Sequence, residues 1–158
     1  MKTATSTVIG FVLGIIVTGI VGWNMMPGMM LHENMSPFGT EETVSKIKEN
    51  ALKRGWVVPD IKPLHKAILK NGGGTLPPVM LVNLCQANHA FSILDEDENK
   101  KISVFMPCTI SVYEKSDGKT YIGTMNAGLL GKIFGGTVAT VMKDVAADQQ
   151  GFIEFANK

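Results

Sequence analysis

The chain has 158 residues and a formal net charge of +1, with 15 basic and 14 acidic side chains. This balance gives no electrostatic case for nucleic-acid binding, which calls for a strongly basic surface. The sequence contains no CxxCH, CxxC or HExxH motif and no phosphate-binding loop. Covalent haem attachment, zinc proteolysis and P-loop nucleotide binding therefore have no sequence support.

An uncharged apolar run lies next to the N-terminus. Residues Val8 to Val21 read VIGFVLGIIVTGIV, and Ser6 to Met26 supply the roughly 20 apolar residues that a spanning helix needs. We expect residues 1–28 to form a single N-terminal transmembrane helix. Lys2 precedes the run and the first charge after it is Glu33, so the positive-inside rule predicts an inner-membrane anchor with the C-terminal domain on the periplasmic face.

A cleaved secretory signal is the alternative for this segment. Such signals have an apolar core of roughly 7–15 residues followed by a small-x-small cleavage site. Here the run leads into Trp23 to Pro27, a poor cleavage site, so an uncleaved anchor is favoured. Gly10 and Gly14 form a GxxxG pair that can bring two spanning helices together, although ordinary glycine usage explains it somewhat better.

Residues 29–158 read as one domain in which strands and helices alternate. Met29 to Met35 opens the first strand, and Thr40 is the predicted N-cap of a helix over Glu41–Arg54 that Gly55 ends. The inward stripe of this helix is Val44, Ile47, Ala51 and Leu52. The later elements are strand Trp56–Val58, helix Pro63–Asn71 with Leu64, Ile68 and Leu69 inward, strand Val79–Leu84, helix Gln86–Leu94, strand Ile102–Tyr113 interrupted at Pro107, strand Thr120–Met125 and a helical tail Leu129–Phe155 with a break at Gly135-Gly136. This order predicts an α+β two-layer sandwich, a mostly antiparallel sheet with helices on one face.

Several segments in this order resemble a family known as domain of unknown function 302. They are the helix ETVSKIKENALKRGW, the junction LCQANHAFSIL, the strand VFMPCTISVYE and the hairpin YEKSDGKTYIGTMN. The resemblance extends from Met35 to the C-terminus and implies a compact α+β domain that often associates in pairs. It implies no particular activity, and the membrane anchor departs from the simplest soluble members. The expected partners are therefore the membrane and a second copy or a membrane protein complex.

Four side chains form the main candidate site, Cys85, His89, Met106 and Cys108. Cys85 precedes a predicted helix, whose N-terminus favours a thiolate, and His89 four residues later is expected on the same helical face. Met106 and Cys108 share one face of a predicted strand because strand side chains repeat every two residues. Sulfur and imidazole ligands suit copper or haem iron.

Three interpretations of this cluster stay open with similar weight. They are a metal or haem site, a structural Cys85–Cys108 disulfide in an oxidising compartment, and unpaired thiols packed as small apolar groups. A secondary metal candidate is the set Met29, Met30, His32 and Met35 in the connector after the anchor. Packing of these methionines into apolar gaps is the preferred interpretation.

The leading functional hypothesis is a membrane-anchored, extracytoplasmic binding module. It would hold copper or haem, or act as an accessory subunit of a membrane electron-transfer or metal-handling system. The alternative is a cofactor-free dimeric structural or assembly protein. An enzyme is less expected, because Cys85 is the only candidate nucleophile and no acid–base partner accompanies it. The apolar segment Gly128 to Met142 is expected to cover the sheet, or to lie against the membrane or a partner.

Overall fold

The computed structural model describes residues 2–156 of the chain, with backbone only for residues 2–9 and 27. The helices and strands are α1 (Lys2–Met30), β1 (Leu31–Met35), α2 (Thr40–Lys53), β2 (Val57–Pro63), α3 (Leu64–Lys70), β3 (Val79–Cys85), α4 (Ala87–Leu94), β4 (Cys108–Glu114), β5 (Thr120–Met125), α5 (Ala127–Phe134) and α6 (Gly136–Phe152). Two 3-10 segments cover Asp97–Phe105 and Glu154–Ala156.

The five strands form one sheet in the order β1-β5-β4-β3-β2, and every pair is antiparallel. One face of this sheet is fully buried, because alternate apolar side chains on three neighbouring strands turn towards the helices. These side chains are Val82, Leu84, Ile110, Val112 and Ile122. They pack with residues of α2, α4 and α6 in a single core, which confirms the predicted α+β fold and its antiparallel sheet.

The first domain helix, α2, follows its predicted stripe with one exception. Val44, Ile47 and Ala51 are buried, whereas Leu52 is 51% exposed and therefore lies outside the core. The predicted cap is also wrong, since the N-cap residue is Gly39 and Thr40 already belongs to the first helical turn. The helix ends as predicted before Gly55, whose positive φ of 76° suits a residue without a Cβ atom.

Elements near the proline residues depart from the prediction. Strand β2 runs through Pro59 to Pro63, and a register shift between Val57 and Asp60 accommodates a residue that cannot donate to the ladder. Helix α3 has no fully buried side chain: Leu64 and Ile68 are half-buried, and Leu69, predicted to face inward, is 55% exposed. Strand β4 begins only at Cys108, because the 3-10 segment and the cis Met106–Pro107 bond occupy the preceding residues.

Helix α1 runs directly into β1 and is tied to the start of α5 by Asn126. The Asn126 backbone N–H donates to Met30 O (2.8 Å) and its Nδ2 donates to Met29 O (2.8 Å). Its Oδ1 accepts from Leu129 N (3.0 Å) as the N-cap of α5. Within the described part of the chain, no helix combines the length and the apolar character that a membrane crossing requires.

The C-terminal helices divide where the glycines predicted a break. Helix α5 ends at Phe134, and Gly135 adopts a φ of 70° before α6 begins. The two helices then approach closely at Gly131, where an added Cβ atom would lie 2.9 Å from Met142 Cβ. The glycine therefore permits the α5–α6 contact.

Candidate functional site

The four candidate ligand residues line one small pocket beside the core. Cys85 reaches it from the end of β3, His89 from α4, Met106 from the end of the first 3-10 segment, and Cys108 from the start of β4. The remaining wall is apolar and is supplied mainly by Trp56 and by side chains of α4 and α6. The cavity measures about 30 Å³, which is space for one ion or one water molecule.

The two cysteines reach this pocket from neighbouring strands, Cys85 from the end of β3 and Cys108 from the start of β4. Cys108 pairs with Leu84, so Cys85 lies one residue beyond the position directly opposite it. Both thiols are half-buried and free. The Cys85–Cys108 disulfide, one of the three interpretations left open by the sequence, is not present in this structure.

The two thiols nevertheless interact electrostatically. Burial, and to a lesser extent the electrostatic effect of the neighbouring Cys85, raise the pKa of Cys108 to about 11. Desolvation dominates because the thiolate, unlike the thiol, loses stabilising water contacts in an apolar wall. Cys108 is therefore a protonated thiol at neutral pH.

His89 reaches the pocket in a different way from the one predicted. Cys85 and His89 do not share a helical face, because Cys85 is still in β3 and α4 begins only at Ala87. Between them Gln86 is extended and caps the helix, its Oε1 accepting from His89 N (2.8 Å). The His89 ring lies against Trp56, with 5.8 Å between ring centroids.

Met106 also reaches the pocket from outside a strand. It follows the 3-10 segment and precedes the cis peptide bond to Pro107. Like Cys108, it packs against the hydrophobic core. The two sulfur atoms therefore belong to the same side of the molecule, although the strand argument used to predict this does not apply to Met106.

Sulfur dominates the chemistry that this pocket offers. Across the residues that the structure describes, no group of three His, Cys, Asp or Glu side chains is arranged to hold a metal ion. A zinc site of the usual His and Cys type is therefore not formed here. What the pocket supplies is two thiols and one thioether with an imidazole beside them, a set that suits a soft ion better than a hard one.

The secondary candidates do not converge. Met29, Met30, His32 and Met35 are all exposed. His32 pairs with Thr124 and Met35 with Tyr121, so the two lie on opposite faces of β1. Met29 and His32 border one shallow groove, whereas Met30 lines a different groove.

Trp56 is a wall residue that the sequence analysis missed. Its side chain is 3% exposed, and its ring meets Phe152 edge-on at 5.3 Å between centroids. Its Nε1 donates to Asp148 Oδ2 (2.8 Å), which anchors the indole to α6. Its position after a helix-ending glycine predicted a strand start, but nothing in the sequence connected it with Cys85.

A larger groove of about 550 Å³ crosses the opposite, uncovered face of the sheet. Glu33 lies in its wall and accepts hydrogen bonds from the Tyr113 hydroxyl and from Lys115 Nζ, the latter at 2.7 Å. The bonds from Lys115 and Tyr113 lower the pKa of Glu33, while burial and then Glu33 raise the pKa of Tyr113 to about 12. Glu33, Tyr113 and Lys115 thus satisfy one another's hydrogen-bonding groups. None of the three was predicted from the sequence as a site residue.

Comparisons with known proteins match the domain but not an activity. A protein-family model described as "Domain of unknown function DUF302" matches residues 32–156. An uncharacterized conserved DUF302 protein from Bacillus stearothermophilus has a similar crystal structure, with a TM-score of 0.71 and 20% identity over 81% of this chain and 98% of that one. No curated protein matches. The model match covers well over half of the sequence, and the chain therefore belongs to the DUF302 family.

Proposed function

We propose that this chain is a membrane-tethered, extracytoplasmic binding module that holds one Cu(I) ion at the Cys85–Cys108 pocket. The observation that supports it is that four side chains from three separate segments, Cys85, His89, Met106 and Cys108, line a single pocket. Thiolate and thioether sulfur prefer Cu(I) among common cellular metals. The proposal does not include haem. The cavity of about 30 Å³ is far smaller than the roughly 300 Å³ or more of sites that hold organic ligands.

Copper binding at this pocket is expected to depend on pH. The buried Cys108 thiol, whose pKa is raised to about 11, must lose its proton before it can bind the ion. The apparent affinity therefore rises with pH, by about tenfold per unit for each proton released. A bound Cu(I) would balance the charge of the Cys108 thiolate, which would otherwise be an isolated buried charge.

The tether in this proposal is the N-terminal helix. Its support is the apolar run from Val8 to Val21, flanked by Lys2 on one side and Glu33 on the other. Extraction of bacterial membranes with alkaline carbonate should leave the full chain in the membrane pellet. External protease should digest the domain only in cells whose outer membrane has been opened, and release into the carbonate supernatant would contradict the anchor.

Anaerobic titration with Cu(I) against a chromophoric chelator tests the metal site. The purified full chain should bind one equivalent and develop a near-ultraviolet sulfur-to-copper absorption band. Cys85→Ser and Cys108→Ser should each lose the band, and Met106→Leu should weaken binding. Met35→Leu is the matched control, since Met35 is exposed on β1 away from the pocket. Absence of binding by the unsubstituted chain would refute the metal proposal.

A cofactor-free assembly role is the second candidate. The uncovered sheet face and its 550 Å³ groove favour it, since such a face can receive a second copy. Ser111 lies on β4 within this groove, opposite Gly123 of β5. Sedimentation of the detergent-solubilised chain should then show a dimer that Ser111→Arg converts to a monomer, and a monomer in both cases would reject this role.

A further inference from the structure

Exposed apolar side chains gather on the side of the domain where α1 ends. Val104 of the 3-10 segment is 78% exposed, and Ile133 and Phe134 at the end of α5 are 65% and 42% exposed. The Phe134 ring contacts the ring of Phe105, with 6.2 Å between centroids, so the 3-10 segment and α5 form one surface. We call Val104, Phe105, Ile133 and Phe134 the apolar edge.

The apolar edge is continuous with the last turns of α1. A groove of about 410 Å³ is lined by Trp23, Met26 and Met30 of α1 together with Phe105 and Leu130 of the domain. Two hydrogen bonds of Asn126, to Met29 O and Met30 O, fix the end of α1 to the start of α5. Trp23 and Phe105 therefore line one groove, which joins the apolar edge to the last turns of α1.

Under the proposed tether the apolar edge would lie near a membrane interface, because Phe105 shares a groove with Trp23 of α1. Tryptophan favours the boundary between acyl chains and headgroups. Lys132, exposed between the buried Gly131 and the exposed Ile133, adds a positive charge that suits anionic headgroups.

We propose that the apolar edge docks onto the same membrane that holds α1, with Val104, Ile133 and Phe134 inserted at the level of the lipid headgroups. This inference rests on the proposed membrane tether. Interfacial apolar side chains reach about 5–10 Å into the headgroup and acyl boundary. The domain would thus be held at the surface in one orientation by two contacts, the helix and the apolar edge.

Tryptophan placed on the apolar edge can report lipid contact. The full chain is reconstituted into vesicles of phosphatidylcholine and phosphatidylglycerol, with and without brominated acyl chains, which quench nearby indoles. The variants are Ile133→Trp and Val104→Trp, and the emission of the unsubstituted chain is subtracted from each. Val57→Trp is the control, since Val57 is 56% exposed on β2, at the opposite edge of the sheet from β1.

Docking predicts loss of the added emission at positions 133 and 104 in brominated vesicles, with no loss at position 57. Unquenched emission at both apolar-edge positions, or equal quenching at all three, would overturn the docking proposal. Flotation of the same samples tests the membrane tether separately from the docking of the apolar edge. A chain that stays at the bottom of the gradient refutes the tether itself, whereas a chain that floats without quenching refutes only the docking.

Discussion

Cys108 illustrates how a single buried atom sets the chemistry of the pocket. Its sulfur lies on the helix-covered face of the sheet, and burial raises the pKa of its thiol from an ordinary 9.0 to about 11. Without a bound ion this residue behaves as a small apolar group. With a soft ion in place, the same burial shields the metal–sulfur bond from water and competing ligands.

The raised pKa of Cys108 predicts a loss of stability at alkaline pH in the metal-free protein. Between pH 9 and pH 11 the folded chain binds more protons at this site than the unfolded chain does, so the free energy of unfolding falls as pH rises. The loss should approach roughly 3 kcal/mol at full effect. Urea unfolding across this range should show a steeper decline for the unsubstituted chain than for Cys108→Ala, and parallel curves would contradict it.

At the residue scale, the sequence grouped four side chains that line one pocket, but for partly wrong reasons. Cys85, His89, Met106 and Cys108 do meet, but neither the shared helical face nor the shared strand that predicted it exists. The turn at Gln86 and the cis peptide bond before Pro107 are local geometries that residue spacing does not encode. Trp56 was missed for a related reason, since only the tertiary fold brings its ring against His89 of α4.

Asn126 joins α1 and α5, and its side-chain nitrogen and oxygen make separate contributions to the stability of the protein. Asn126→Ala removes both the α5 cap and the bond to Met29, and should lower the free energy of unfolding by about 1–2 kcal/mol. Asn126→Asp keeps an acceptor for Leu129 N but cannot donate to Met29 O. It should therefore retain most of the stability while exchange of the position-126 amide with solvent deuterium becomes faster. Equal free energies of unfolding for Asn126→Ala and Asn126→Asp would contradict these separate contributions of the side-chain nitrogen and oxygen.

The close approach of α5 and α6 predicts a cost for any side chain at Gly131. An added methyl group would meet Met142 Cβ at 2.9 Å and backbone atoms of Ala139 at 3.2 and 3.3 Å. Gly131→Ala should therefore destabilise the protein by about 1–3 kcal/mol in thermal or urea unfolding. Gly128→Ala is the matched control in the same helix, since its nearest neighbour would lie 3.7 Å away and its stability should be unchanged or higher.

At the element scale, hydrophobic periodicity and glycine positions predicted most of the fold. The stripe of α2, the break between α5 and α6 and the hairpin of β4 and β5 all follow directly from such local signals. The wrong predictions concentrate where tertiary contacts override these local signals. Strand β2 passes through a proline because a bulge accommodates it, and α3 keeps its apolar side chains partly exposed although their spacing is helical.

The whole molecule divides into a helix and a domain that carries its own core. Every residue of the buried core cluster lies between Val44 and Ile153, outside α1. Residues 29–158 alone should therefore unfold cooperatively, and they should remain at the bottom of a flotation gradient in which the full chain rises with vesicles. A shortened chain that does not fold, or that floats equally well, would contradict this separation of roles.

The identity of the atoms around the metal tests the central claim most directly. X-ray absorption at the copper edge, measured on the full chain loaded with one equivalent of Cu(I), distinguishes sulfur neighbours from nitrogen and oxygen. Copper held at this pocket should have a shell dominated by sulfur that loses one sulfur neighbour in Cys108→Ser. A shell of nitrogen and oxygen alone, or one that Cys108→Ser leaves unchanged, would place the copper elsewhere and contradict the assignment of this pocket.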